Sequence, residues 1–108
     1  MIADDEPLAD IAFAGDVIHW RGPSPFHFVA VREAQVGEVR YAARIASYGW
    51  GVVPVEASVD GVDFRTSLFP RDGGYLLPLK DAVRKAAGIR LGDRVQVRMR
   101  VISRSARA

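Results

Sequence analysis

"VVPVEASVDGVDFRTSLF", residues 52–69, decides how the rest of the chain is read. Val53, Val55, Ala57 and Val59 recur at every second position, with Glu56 and Ser58 between them. That is the period of a strand with one buried face. Asp60-Gly61 follows, the dipeptide of a two-residue turn that needs positive φ and matches the twist of the strands it joins. Val62, Phe64, Thr66 and Leu68 then resume the alternation. The stretch predicts an antiparallel hairpin.

Toward the C-terminus, "PRDGG" (70–74) reads as a second turn and "YLLPLK" (75–80) as a strand. Pro78 has no amide N–H to donate, which places this strand at a sheet edge or ends it there. "KDAVRKAA" (80–87) is a short helix, with Asp81 near its start and Lys85 near its end, as the helix dipole favours. Gly88 suits the left-handed residue that closes a helix. After the corner "IRLGD", Val95, Val97, Met99 and Val101 point inward and Arg94, Gln96, Arg98 and Arg100 outward. The expected core holds Val53, Val55, Phe64, Leu68, Leu77, Val95 and Val97.

Toward the N-terminus, "GWG" (49–51) separates the hairpin from a helix candidate at 33–48. Val36, Val39, Ala43 and Ile45 or Ala46 lie near helical spacing there. Gly37 weakens that helix, since a mid-helix glycine costs about 1 kcal/mol against alanine. "FHFVAVRE" (26–33) reads as a strand apolar on both faces, and "IAFAGDVIHW" (11–20) as a strand with Ile11, Phe13 and Val17 on one side. The proline-rich "RGPSP" (21–25) turns between them. The six strands come in hairpins, not in βαβ units. The expected fold is therefore mainly β, an antiparallel barrel with two short helices. One domain spans 10–102, with tails at 1–9 and 103–108.

Two stretches read either as a weak internal repeat or as the chance likeness of two amphipathic patterns. Val29-Ala30-Val31-Arg32-Glu33-Ala34 matches Leu77-Pro78-Leu79-Lys80-Asp81-Ala82 in type. In each case a strand runs into an acidic helix start, and the helix gives way to glycine and an alternating valine strand. Two strand–helix–strand halves related by a pseudo-twofold would produce this pattern.

Bulk properties narrow the function. The 108 residues contain no cysteine, so disulfides, thiolate metal sites and cysteine nucleophiles are excluded. No apolar run approaches the roughly 20 residues of a membrane span. The acidic "MIADDEPLAD" is unlike a signal peptide, so the expected location is the cytoplasm. Net charge is only +2, but residues 1–63 hold 4 arginines against 10 carboxylates, and residues 64–108 hold 11 cations against 3 aspartates. Such asymmetry fits either an anionic partner for the second half or halves whose charges interleave in the fold. Interleaving is the simpler reading.

The second half, "GYLLPLKDAVRKAAGIRLGDRVQV", resembles the swapped-hairpin DNA-binding domains of the AbrB/MazE type. Over about residues 11–102, the combination of "GWGVVPVEASVDG", "FRTSLFP", "GGYLLPLKDAVRKAAGI" and "GDRVQV" resembles a bacterial domain-of-unknown-function family, DUF1905. The resemblance implies a double-split β-barrel, the architecture that AbrB-type proteins build from two chains. It brings no established activity. Some relatives carry a further domain of the YdeI/OmpD-associated type, so any such partner would here be a separate protein; the partner is otherwise unknown.

The residues themselves offer little catalytic chemistry. His19 and His27 flank "RGPSP" and can face each other, but tetrahedral zinc wants three or four ligands. Ser67 in "RTSLF" lacks a nucleophile elbow, and "RDGGY" lacks the Lys-Ser/Thr of a phosphate loop. No paired acid and base is visible, and no cofactor is implied. Tyr48 and Trp50 in "SYGWG", with Arg65 and Ser67, are the candidate ligand-binding residues, a rigid aromatic at a barrel mouth being suited to stacking. Arg94, Arg98 and Arg100 are the candidate nucleic-acid contacts, an outward basic stripe of the kind that tracks phosphates. A solvated strand face explains the same alternation. The sequence thus predicts a monomeric, non-catalytic binding or interaction module, with DNA or RNA binding as the alternative.

Overall fold

The computed structural model describes residues 8–20, 26–46 and 51–102. Six strands and two helices follow in the order β1 (Ala9–Trp20), β2 (Phe26–Ala30), α1 (Glu33–Ala46), β3 (Val53–Val59), β4 (Val62–Arg71), β5 (Gly74–Leu79), α2 (Asp81–Ala87) and β6 (Arg94–Val101). The strands close into an antiparallel barrel in the ring order β1-β2-β5-β4-β3-β6. Among the described residues no helix is long and apolar enough to cross a membrane.

The hairpin that opened the sequence reading forms β3 and β4. Val53 pairs with Leu68 and Val59 with Val62, and Asp60 and Gly61 both take positive φ, 48° and 88°. Asp72-Gly73 repeats the device at φ 50° and 80°. The turn in "PRDGG" is thus two residues long, and Pro70 and Arg71 belong to β4, where they face Tyr75 and Gly74.

Two strands serve two sheets each. β1 pairs with β6 from Ala9 to Asp16, then with β2 from Val17 to Trp20. β4 pairs with β3 from Val62 to Leu68, then with β5 from Phe69 to Arg71. At each change of partner the barrel is split, which makes it the double-split barrel that the sequence motifs implied. The ring also has the pseudo-twofold. Exchanging β1 with β4, β2 with β5, α1 with α2 and β3 with β6 reproduces every strand pairing. Val29 and Leu77, equivalent in the repeat, stand opposite each other on the axis, and Phe28–Pro78 exchanges with Ala30–Leu76. The same operation sets Val17 on Leu68, Ile18 on Phe69 and Gly15 on Thr66.

The core gathers the inward residues of all six strands, including Val17, Val29, Val53, Val55, Leu68, Leu77, Val95 and Met99, each nearly inaccessible. Val39, Ala42, Ala43 and Ala46 of α1 plug it. Ala46 takes the inward place and Ile45 stays exposed. Gly37 is tolerated because it lies on the exposed side of α1, with open space where a side chain would be.

One expectation needs correction. Phe64 is only half-buried, because β4 lies beside a split and its inward face is incompletely covered. For Pro78 the second of the two alternatives holds: β5 sits between β2 and β4 and ends at Leu79, one residue after the proline. The barrel tolerates it because pairing of β5 with β4 stops at Leu76, so no partner on that side asks Pro78 for a hydrogen bond.

Candidate functional site

The two splits differ. In the first, β1 presses on β2: a Cβ built on Gly15 would come within 2.7 Å of Val29 Cγ1, so only glycine fits without displacement. Helix α1, 14 residues long, backs this side, and Gln35 Nε2 donates to the Ala12 carbonyl at 2.9 Å. Arg40 also donates to the Gly73 carbonyl, tying the β4–β5 turn to the same helix. In the second split Thr66 stands where Gly15 does, and α2 has only 7 residues, with Val83 alone fully buried. Val83 is outside the barrel core that α1 helps to fill.

The second split consequently holds a cavity of about 800 Å³. Its floor is the outward face of the β2–β5 ladder, where Phe28 and Pro78 are register partners. Phe28 meets the half-exposed Phe69 edge-on, ring centroids 6.5 Å apart, a favourable aromatic geometry. Arg65, Thr66 and Ser67 of β4 form one wall, and Lys80, Asp81 and Arg84 at the start of α2 the other. The volume and the mixture of apolar floor and few polar groups are those of a small-molecule site.

Charge at the rim is unevenly satisfied. Arg84 pairs with Asp81 one turn back, and Arg65 reaches Glu56 at 3.0 Å. Lys80 is exposed and has no ion pair among the described residues. Arg84 Nε is a buried donor without an acceptor among the described residues, a state that typically costs about 1–3 kcal/mol. His27 also lines the cavity, opposite His19 in register, with ring centroids 5.3 Å apart. Burial, then the Arg84 guanidinium, then His19, hold the His27 imidazole below its ordinary pKa of 6.5, so it is neutral at pH 7. Among the described residues no three His, Cys, Asp or Glu side chains gather as a metal site.

The sequence-derived candidates divide three ways. Arg65 and Ser67 line the cavity together. Tyr48 and Trp50 lie outside the described residues. Arg94, Arg98 and Arg100 lie along β6, each engaged by a carboxylate from the other half of the chain: Asp16 at 3.1 Å, Asp10 at 3.0 Å and Glu56 at 2.7 Å. The charge segregation along the sequence is thus interleaved on the surface. The Arg98 guanidinium hydrogen-bonds the Asp10 carboxylate and lowers its pKa. Arg98 and Arg100 also border a shallower, polar hollow of about 590 Å³ that contains Glu56, Asp63 and Arg65; Arg94 does not. Sequence reading missed His27 as a cavity residue, and missed Phe28, Phe69, Lys80 and Arg84 as its companions. The one available signal was the repeat, which sets Thr66 against Gly15 once the strands are superposed.

The fold and this cavity define a small double-split β-barrel with an open pocket at one of its two splits. The chain belongs to the family described as Domain of unknown function (DUF1905), whose pattern matches residues 13–99. Comparison with curated proteins finds no match.

Proposed function

We propose that this protein is a non-catalytic binding module, acting as a monomer, whose site is the cavity at the β4–β5 split. The observation that carries the reading is the difference between the splits. One is packed so tightly that it requires Gly15, while the other keeps about 800 Å³ open beside exposed aromatic and basic side chains. Exposed apolar surface of this kind costs stability and is kept where something binds. The twofold is internal to one chain, so the barrel closes without a partner.

The test is a thermal-shift screen of small molecules against the parent protein and a Ser67→Trp variant that fills the cavity. A true ligand raises the parent's Tm in proportion to its occupancy and leaves the variant's unchanged. A screen whose stabilisers all act equally on both proteins refutes the reading.

The alternative reading is nucleic-acid binding along Arg94, Arg98 and Arg100. The resemblance to AbrB-type domains and the shared outward face of β6 favour it. It ranks second because those cations already face carboxylates, which a phosphate backbone would have to displace. Fluorescence anisotropy with mixed-sequence duplex DNA at 0.15 M salt decides between them. Binding tighter than about 1 μM, abolished by Arg94/Arg98/Arg100→Gln, exceeds ordinary non-specific affinity and would reverse the ranking.

A further inference from the structure

We infer that the β4–β5 cavity takes a small amphipathic monoanion: one carboxylate-type head held at the Lys80–Arg84 wall, with a flat apolar body on Phe28, Phe69 and Pro78. This deepens the proposed function and rests on it.

Three features fix the class. The first is the floor. Phe28 and Phe69 offer an edge-on aromatic pair beside a proline ring, and Phe69 is 46% exposed although it is a large apolar side chain. Such a surface selects a flat apolar body over a sugar or a hydrated ion. The second is the charge at the rim. Arg84 is paired with Asp81, and Arg65 shares the single Glu56 carboxylate with Arg100. Lys80 is the rim cation with no ion pair among the described residues, which suits one anionic head at that wall. Neutral His27 adds no further cation at pH 7. The third is the buried Nε donor of Arg84, which lacks an acceptor among the described residues, so an anionic oxygen brought to this wall supplies what the wall lacks. The cavity volume accommodates a ligand of drug-like size.

The experiment compares two probes that differ only by charge. 1-Anilinonaphthalene-8-sulfonate is an aromatic monoanion with a flat naphthalene body, and N-phenyl-1-naphthylamine is the same ring system without the sulfonate. Both are titrated by fluorescence into the full chain, and a single cooperative melt in the presence of dye confirms that the folded state is being read. The anion should bind at least about tenfold more tightly than the neutral dye, equivalent to about 1.4 kcal/mol. Lys80→Gln should erase that ratio while leaving the neutral dye unaffected. Ser67→Trp should weaken both. 2-Naphthoate should displace the anionic dye, and inorganic phosphate at the same concentration should not. Equal binding of the two dyes in the parent, with both weakened by Ser67→Trp, would overturn the ligand class and leave the site standing. Displacement by phosphate as readily as by 2-naphthoate would also overturn it, in favour of a bare anion site. Dye binding untouched by Ser67→Trp would overturn the site itself.

Discussion

The two halves of this barrel have the same strand order and the same pairings, yet among the described residues one split is tightly packed at Gly15 and the other holds a cavity. The closed split owes its state to Gly15, to the contact with Val29 and to a helix of four turns whose alanines enter the core. The open split has Thr66 in place of glycine, a helix half as long and an aromatic floor. The strand order is met identically in both halves, so it does not set cavity size. Local packing at one strand crossing and the length of the following helix do.

The largest effect that can break this comparison lies on the twofold axis, where the halves should be equivalent. Leu77→Ala should cost about 2–5 kcal/mol in urea melts, and Val29→Ala somewhat less in proportion to the smaller volume removed. Both sites are fully inaccessible, so a near-neutral result at either would show that the shared core is misassigned.

The next effect separates the halves. Gly15→Val should destabilise by about 1–3 kcal/mol, because the added atoms collide with a core valine in a closed crossing. Thr66→Val, at the matched position of the open split, should change stability by less than about 1 kcal/mol. Equal losses at the two positions would mean that the splits are packed alike and that the cavity has another origin.

A smaller effect sharpens the electrostatic side of the open split. His27 has a depressed pKa in the folded state, so the unfolded chain binds the proton more readily. Stability should therefore be full above the ordinary imidazole value of 6.5 and fall as pH drops below it. His19 and Arg84 oppose the imidazolium and Asp81 partly relieves it. Urea midpoints measured between pH 7.5 and 5 should show the decline in the parent and less of it in His27→Gln, a window that contains few other titrations. An identical pH profile in the two proteins would count against the burial of His27.

The smallest effect concerns the pairs that join the halves. Asp10 has a lowered pKa, so its contribution is present above the ordinary value of 3.8 and is lost as pH falls through the folded value. Arg98→Gln should give a slight loss at neutral pH that disappears in acid. Exposed pairs are weak, and a loss that persisted below the carboxylate range would point to packing of the arginine stem.

How much of this was legible in the sequence depended on range. The β3–β4 hairpin was readable because alternation and the Asp60-Gly61 turn are local signals. The repeat was readable in residue type at 29–34 and 77–82, although its meaning needed the ring order. The acid partners of the arginines were not readable: Asp16 and Asp10 stand 78 and 88 positions from Arg94 and Arg98. Nor was the cavity, which draws on residues from His27 to Arg84. Arg65 and Ser67 were singled out for their outward face on a strand, while Lys80 and Arg84 looked like ordinary helix-surface charges. Pro78 pointed to an edge or an end, and β5 does end one residue beyond it, having lost its β4 partner after Leu76.

That partial pairing has a consequence for self-association. A closed ring offers few rows of free amide groups on which a second chain could grow an extra strand. Beyond Leu76 the β4–β5 seam parts, and backbone there lacks its cross-strand partner. An extended peptide or a second copy inserting into that seam would meet Pro78, which has no N–H to give, and the ladder would break after one or two bonds. On its β5 side, therefore, the seam is a poor edge for an added β-strand, because the residue that would have to donate is a proline.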